Sequence, residues 1–303
     1  MKIEGITYHG DKKDDDGRWI NEDGLKILEF PQENIKIGII MDGATGLGRK
    51  YQLVSNKTAA EWYVKTIIDE LEKIFINNPT IALKQSLEKC VTLIIGKINQ
   101  FEIENNMKLK DYETPSSAIA IIRINNEETE LFILGDILAI VGYTSKKVKK
   151  INNPNQNKIK SYDDSVIRKM IKIAKKEKVN VIDTINSPKI QKKLQINRSK
   201  KNKNYLGSYY VCGTNPKAVK KGIYCKFENN TLEKIILATD GIDYCLLNDN
   251  EISFYQRLKS DSLSQVINSI CEKQIEDNSC NKYPRLKKED DKTLLIADFK
   301  SLI

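Results

Sequence analysis

The chain has 303 residues, of which 40% are hydrophobic and 30% charged, a composition typical of globular proteins that excludes a wholly disordered chain. Its 50 Lys and Arg residues outnumber its 41 Asp and Glu residues and give a formal charge of +9. This charge would concentrate anionic substrates near the protein. It is compatible with nucleic-acid binding but does not by itself indicate it. We expect a single domain over residues 1–303.

The first half of the chain predicts a strand, two helices and a β-rich block. The apolar run IKIGIIM at residues 35–41 has the length of a buried strand. Residues 56–77 and 80–106 carry apolar side chains at helical spacing. Three further runs predict consecutive antiparallel strands: SSAIAIIRI from Ser116, ELFILGD from Glu130 and ILAIVGY from Ile137.

The second half begins with residues 146–205, here called the basic insertion, which are rich in Lys and Asn. We expect a helix over residues 165–177 and a very basic stretch from Arg198. Three more strands are predicted: GSYYVCG from Gly207, EKIILAT from Glu233 and KTLLIADF from Lys292. An amphipathic helix over residues 262–277 precedes the last strand. Strands and helices thus occur in blocks, without βαβ alternation, which predicts an α+β layered fold.

The six cysteines show no CxxC spacing, and several lie in apolar runs, so we expect them to be reduced and structural. No run of 18 apolar residues occurs, and the first residues lack an apolar stretch followed by a cleavage site. We therefore expect a cytoplasmic protein without membrane association.

Aspartates stand where several predicted strands begin or end: Asp42, Asp136, Asp240 and Asp290. Carboxylates that converge from distant parts of a chain supply the hard oxygen ligands of divalent cations. A pair of such cations is a common device for phosphoryl chemistry. Taken singly, each Asp-Gly pair is better explained by a turn, since the same dipeptide recurs at residues 16–17 and 23–24.

The order and context of these residues resemble the type 2C (PPM) metal-dependent protein phosphatases, in their bacterial form, across almost the whole chain. The matching segments follow the family's Arg-x-x-x-Glu-Asp, Asp-Gly, Gly-Asp, Ser-Asp-Gly and terminal Asp-Asn/Asp-x-Thr motifs. In chain order they are GRWINED from Gly17, MDGATG from Met41, FILGDILAIV from Phe132, LATDGIDYCL from Leu237 and DDKTLLIADF from Asp290. The resemblance implies a four-layer αββα sandwich, in which two antiparallel sheets are flanked by helices.

The resemblance also implies a metal site between the sheets. Asp42 would bridge two ions, with the carbonyl of Gly43 as a neighbouring ligand. Asp240 and Asp290 would complete the shell of the first ion. Glu22 and Asp23 match the acidic pair that holds the second ion directly or through waters, and which of the two binds stays open.

Two further residues receive roles from the resemblance. Asp136 matches the residue that helps to hold a third, weaker metal in bacterial members. Arg18 matches the phosphate-binding arginine, whose planar guanidinium can take two phosphate oxygens at once. The implied cofactors are two Mn²⁺ or Mg²⁺ ions, with a third at Asp136.

The implied activity is a protein serine/threonine phosphatase, in which a water activated by two metals displaces the leaving group in a single in-line step. Its partners would be phosphorylated proteins, substrates of a serine/threonine kinase. Some family members carry a histidine after the Asp-Gly motif as general acid. Here Ala44 and Thr45 follow, so the source of the leaving-group proton stays open.

Other functions remain to be weighed against this one. His9 is the only histidine and has no partner motif, which argues against Cys/His metal sites and Ser/His/Asp hydrolysis. One alternative is a non-catalytic phosphoprotein-binding module on the same fold. Another is a metal-dependent nuclease or nucleotide hydrolase. The basic insertion matches the family's variable flap by position, and it serves either as a solvated surface or as a docking site for phosphopeptides.

Overall fold

A computed structural model describes residues 1–48, 51–54 and 56–299. Ten strands are present in this part of the chain: β1 (Lys2–Tyr8), β2 (Gly24–Phe30), β3 (Ile35–Ala44), β4 (Ser116–Ile124), β5 (Glu128–Leu134), β6 (Leu138–Tyr143), β7 (Val148–Lys150), β8 (Ile223–Glu228), β9 (Leu232–Ala238) and β10 (Lys292–Asp298). The six α-helices are α1 (Ala59–Asn77), α2 (Leu83–Glu104), α3 (Pro154–Glu177), α4 (Pro188–Arg198), α5 (Glu251–Ser260) and α6 (Leu263–Glu276).

The strands form two antiparallel sheets of five strands each. One sheet has the order β1-β10-β9-β6-β7 and the other the order β2-β3-β4-β5-β8. Strands β4 and β5 pair with each other as expected, but β6 pairs with β9 in the other sheet. The prediction of three consecutive paired strands is therefore wrong for the third, because the chain crosses between the sheets at Gly135 and Asp136.

Successive side chains of each strand point to opposite faces of its sheet, and this alternation forms three apolar layers. Ile40 of β3 and Leu295 of β10 point between the sheets. Ile39, next to Ile40, faces α1 and α2, while Ile296 of β10 faces α5 and α6. The layers therefore run helices, sheet, sheet, helices, and the predicted αββα fold is confirmed.

Helix α1 begins at a capping box, in which the hydroxyl of Thr58 accepts from Glu61 N and the Glu61 carboxylate accepts from Thr58 N. This cap fixes the first turn of α1 beside the end of β3, since Ala60 N donates to Thr45 Oγ1 over 3.4 Å. The cap therefore also places Glu61 near the strand end.

The basic insertion departs from its sequence prediction. Helix α3 begins at Pro154, eleven residues before the expected start, and α4 was not predicted. A small apolar cluster of its own holds these helices together, made of Val166, Met170, Ala174, Val181 and Ile190. The predicted strand from Gly207 is wrong, since this segment makes only isolated bridges, such as that of Cys212 with Ser117.

All six cysteines are free, and Cys90, Cys212 and Cys280 are buried, whereas Cys245 is exposed. Within the described residues, no helix is both long and apolar enough to span a membrane. The predicted cytoplasmic location stays a prediction.

Candidate active site

Asp42 lies near the end of β3 and does not belong to a turn. Asp42 and Gly43 pair with Ala118 and Ser117 of β4, so the strand continues through the Asp-Gly dipeptide. A side chain at Gly43 could not be accommodated, because its Cβ would lie 2.1 Å from the carbonyl oxygen of Glu22. The glycine therefore serves the close approach of two chain segments and holds Asp42 on a rigid strand.

Asp240 follows β9 in the other sheet, within a turn. Its backbone N–H donates to Asp42 Oδ2 over 3.4 Å, which links the ends of the two sheets. Gly241 again permits a close backbone approach, since a Cβ there would lie 1.9 Å from the carbonyl oxygen of Asp291. The two Asp-Gly pairs therefore bring their carboxylates to the same end of the sandwich.

Asp291, the residue after the predicted ligand Asp290, holds the N-terminal segment against β10. Its side chain is buried and accepts from Gly10 N over 2.7 Å and from Glu22 N over 2.8 Å. Charge-assisted bonds of this kind are stronger than neutral ones. Asp291 thus positions Glu22, and the sequence pattern DDKT could have indicated it, because it is the second acidic residue of the motif.

Glu22 is buried, and its carboxylate accepts hydrogen bonds from two side chains. Lys12 Nζ and Thr45 Oγ1 donate to its Oε1 at 2.7 Å and 2.5 Å. Although burial opposes ionisation, the Lys12 ammonium and the Thr45 hydroxyl hold the pKa of Glu22 below its ordinary value. Glu22 is therefore an ionised carboxylate in this structure.

Asp23 is placed by two threonines from neighbouring strands. Thr239 Oγ1 and Thr293 Oγ1 each donate to its Oδ2 over 2.8 Å. Burial, followed by the charges of Asp291 and Asp290, raises the pKa of Asp23 well above its ordinary value. The carboxylate of Asp23 thus lies close to the start of β10.

Asp42 stands at the centre of the acidic residues. Burial raises its pKa well above the ordinary value, and the charges of Asp240, Asp23, Asp136 and Asp290 add to this rise. Carboxylates that repel one another in this way gain most from a cation placed between them. We call the set the acidic edge; its members are Glu22, Asp23, Asp42, Asp136, Asp163, Asp240, Asp290 and Asp291.

The basic insertion is attached to the acidic edge at Asp136. Asn153 caps α3 by accepting from Asn155 N over 3.0 Å, and its Nδ2 donates to Gly135 O over 2.7 Å. Gln156 Nε2 donates to Asp136 O over 3.0 Å. The first turn of α3 is therefore tied to the turn that carries Asp136.

Asp163 was not predicted, and it joins the acidic edge from α3. Burial and the charge of Asp240 raise its pKa to about 7, with Arg198 acting in the opposite direction. Burial, then Asp240 and Asp163, likewise raises the pKa of Asp136 to about 7. Only the packing of α3 brings Asp163 here, and its sequence signal is slight, since Asp163 and Asp164 form an acidic pair in a basic segment.

Arg18 lies at the N-terminus of α1 and is engaged by other groups. Its Nε donates to Asp14 Oδ2 and its Nη1 to Glu61 Oε1, both over 2.8 Å, while Nη2 donates to Asn56 O over 2.8 Å. At least some of these hydrogen bonds must break before Arg18 could bind a phosphate. Its role in phosphate binding stays a prediction.

Asp290 accepts a short hydrogen bond from Lys287 Nζ and a second from Asp291 N over 2.9 Å. Although surrounding protein atoms disfavour its charge, the carboxylates of Asp290, Asp240 and Asp42 raise the pKa of Lys287 well above its ordinary value. The ammonium of Lys287 therefore lies beside Asp290, one of the three residues predicted to hold the first metal. Lys287 carried no signal in the sequence.

The donors of the acidic edge fit hard divalent cations. They are carboxylate oxygens, and their mutual repulsion is relieved by positive charge, as the position of Lys287 illustrates. Across residues 1–48, 51–54 and 56–299, no three acidic side chains are close enough together to hold one ion. Metal binding would therefore require side-chain rotations at this end of the sandwich.

His9, by contrast, lies outside this network. Its ring stacks between those of Tyr8 and Trp19, with centroids 4.9 Å and 4.5 Å away. Its Nδ1 contacts the carbonyl oxygen of Gly10 at 2.7 Å. His9 therefore takes no part in the acidic edge.

Comparisons with known proteins agree with the motifs. The family model of protein phosphatase 2C matches residues 18–279. No curated protein sequence matches the chain. Among solved structures, the serine/threonine phosphatase Stp1 of Staphylococcus aureus has a TM-score of 0.55 at 16% identity, covering 98% of this chain and 94% of that one.

A second similar structure is the serine/threonine phosphatase PstP/Ppp of Mycobacterium tuberculosis, with a TM-score of 0.54 at 13% identity and coverage of 98% and 97%. A third is the catalytic domain of PstP in complex with two manganese ions, with a TM-score of 0.52 at 12% identity and coverage of 98% and 97%. At these identities the likeness shows the shared fold.

Proposed function

Because the chain belongs to the protein phosphatase 2C family, we propose that it hydrolyses phosphoserine and phosphothreonine in proteins, through two divalent cations held by the acidic edge. Membership of this family confirms the predicted class of enzyme, a protein serine/threonine phosphatase. The observation that carries the finer proposal is the convergence of Asp42, Asp240 and Asp290 from both sheets. Burial raises the pKa of Asp42 and of Asp240, and the charge of Asp240 adds to the rise at Asp42 while that of Asp290 adds to the rise at Asp240.

The family resemblance gives each carboxylate a role. Asp42, central and on a rigid strand, would contact both ions, and Asp240 and Asp290 would hold the first. Asp23 is oriented by two threonine hydroxyls, and Glu22 is ionised, so both are available to the second ion or its waters. Asp136 and Asp163 are paired at the attachment of the basic insertion and would accept a third cation.

The ions, when bound, would polarise the phosphoryl group and lower the pKa of an attacking water. The chain contributes the placement of their ligands and the charge that attracts the substrate. Arg18 would bind a phosphate oxygen after release from Glu61. The only histidine, His9, is stacked between two aromatic rings, which supports a leaving-group proton from a source other than histidine.

The proposal is tested by hydrolysis of p-nitrophenyl phosphate and of a phosphothreonine peptide, with Mn²⁺ or Mg²⁺ and after chelation. We expect activity only with metal, and a loss on the order of 1000-fold in Asp42→Asn, since stabilisation of the developing charge is the largest catalytic term. A matched control is Asp69→Asn, which removes an exposed carboxylate of α1 that pairs with Lys65.

Four results would contradict the proposal. Equal activity without metal, or unchanged activity in Asp42→Asn, would exclude the assigned site. Binding of phosphopeptides without any hydrolysis would favour a non-catalytic binding module. Steeply salt-dependent binding to DNA or RNA, with cleavage, would favour a nuclease.

A further inference from the structure

The segment that joins α6 to β10, residues 277–291, is rigidly held. Asp277 accepts from the backbone of Asn281, Lys282 and Tyr283 and from Arg285 Nη1. Arg285 is mostly buried, and its Nε donates to the carbonyl oxygen of Lys288 over 2.9 Å. The backbone next to Lys287 is thus fixed by a buried ion pair.

This segment directs Lys287 at the acidic edge. Its ammonium donates to Asp290 Oδ1. Lys288, the next residue, is exposed, and it forms no ion pair with any residue that the structure describes. One of two adjacent lysines is therefore aimed at Asp290, a predicted ligand of the first metal.

We propose that Lys287 is a tethered cation that competes with the first divalent ion for Asp290, and so sets the metal concentration at which the site fills. The inference rests on the proposed function only in taking the carboxylate of Asp290 as a metal ligand. When the ion binds, the ammonium leaves Asp290 and turns to solvent, which it can reach because 51% of its side chain is already exposed.

The simpler alternative is an ordinary surface ion pair between residues three apart, which contributes little to stability. The two accounts differ in their linkage to metal. A tethered cation stabilises the metal-free protein. It also weakens metal binding, because the ion must first displace the ammonium and so adds less stability to the folded protein. A surface pair leaves metal affinity unchanged.

The test compares Lys287→Met with the matched control Lys288→Met, by isothermal titration with Mn²⁺ and by thermal unfolding in chelator and in Mn²⁺. For Lys287→Met we expect about 5-fold tighter Mn²⁺ binding, the scale of one partly exposed ion pair. We also expect a lower unfolding temperature in chelator and a larger rise on adding Mn²⁺. Lys288→Met and the charge-retaining Lys287→Arg should behave as wild type.

Equal Mn²⁺ affinity in Lys287→Met and Lys288→Met would overturn the inference, as would weaker binding in Lys287→Met. Absence of Mn²⁺ binding in the wild type would overturn the inference together with the metal site itself. The measurements use no substrate, so Mn²⁺ binding with the expected Lys287 effect but without phosphatase activity would count only against the proposed function.

Discussion

The acidic edge and the basic insertion meet at Asp136 and Asp163, yet most of the acidic edge is held in place differently from the insertion. Asp42 pairs with β4 in a strand whose preceding residues also pair with β2, and Asp240 and Asp290 flank two inner strands of the other sheet. The helices of the basic insertion share a core cluster of only five buried residues. Precise chemistry requires the first kind of support, whereas substrate docking tolerates the second.

Charge divides the two regions as well. The basic insertion carries 19 Lys and Arg residues against 4 Asp and Glu residues, a net charge of +15, so the rest of the chain carries −6 of the total +9. The overall positive charge is therefore a property of the insertion. Anionic substrates would be drawn to the insertion and processed at the neighbouring acidic edge.

The largest effect is expected from Asp291→Ala, which removes the acceptor for Gly10 N and Glu22 N. Two buried charge-assisted bonds are lost, so the free energy of unfolding should fall by about 3–5 kcal/mol. Asp291→Asn, which keeps one acceptor, should lose less. Urea unfolding measures both, and equal stability of all three proteins would show that Asp291 does not hold the acidic edge together.

A smaller effect is expected where the insertion is attached. Asn153→Ala removes the cap of α3 and the bond to Gly135 O, so we expect a loss of about 2 kcal/mol of stability and lower activity. Asn250→Ala removes only the cap of α5 and should cost about 1 kcal/mol without affecting activity. Equal activity in Asn153→Ala and Asn250→Ala would show that the attachment of the insertion does not affect catalysis.

Lys201 makes the insertion sensitive to pH. It is buried and donates to Thr114 O over 2.6 Å, and burial, then the charge of Arg198, lowers its pKa well below 10.5. Between the lowered pKa and 10.5 the unfolded chain binds more protons than the folded one, so this residue makes stability rise with pH. Relative to Lys201→Met, the wild type should therefore gain stability from neutral to alkaline pH; a constant difference in unfolding temperature would contradict this.

The smallest effect on the chemistry itself is expected from reversing charges on the exposed face of α3. The double variant Lys172→Glu and Lys176→Glu should lower kcat/KM for an acidic phosphopeptide by roughly 3- to 10-fold at low salt, with little change for p-nitrophenyl phosphate. The control reverses Lys89 and Lys97, two exposed lysines of α2. The same loss in both double variants would indicate a general charge effect without docking on the insertion.

The sequence predicts an element correctly where its apolar side chains repeat at the spacing of a strand or helix that packs into one of the three apolar layers. The apolar runs of β3, β9 and β10 and the periodicity of α1, α2 and α6 were read correctly, and the acidic residues at their ends were found with them. The prediction failed at β8, which alternates between partly buried and exposed positions at a sheet edge, and at α4, where Ile190 is the only buried apolar residue.

The remaining gaps at the site have a common cause. Asp163 and Lys287 reach the acidic edge through tertiary packing of α3 and of the segment around Arg285, which no local spacing reveals. The Asp42-Gly43 pair shows the opposite case. A turn was the better single explanation for residues 42–43, yet Gly43 lies in a strand and is required by the approach of Glu22.

The most direct measurement is a crystal structure of the protein with Mn²⁺, in which anomalous scattering locates the ions. We predict two ions bridged by Asp42, with Asp240 and Asp290 on the first and the ammonium of Lys287 turned away from Asp290. Ions bound elsewhere, or an acidic edge that binds none at saturating Mn²⁺, would contradict the account.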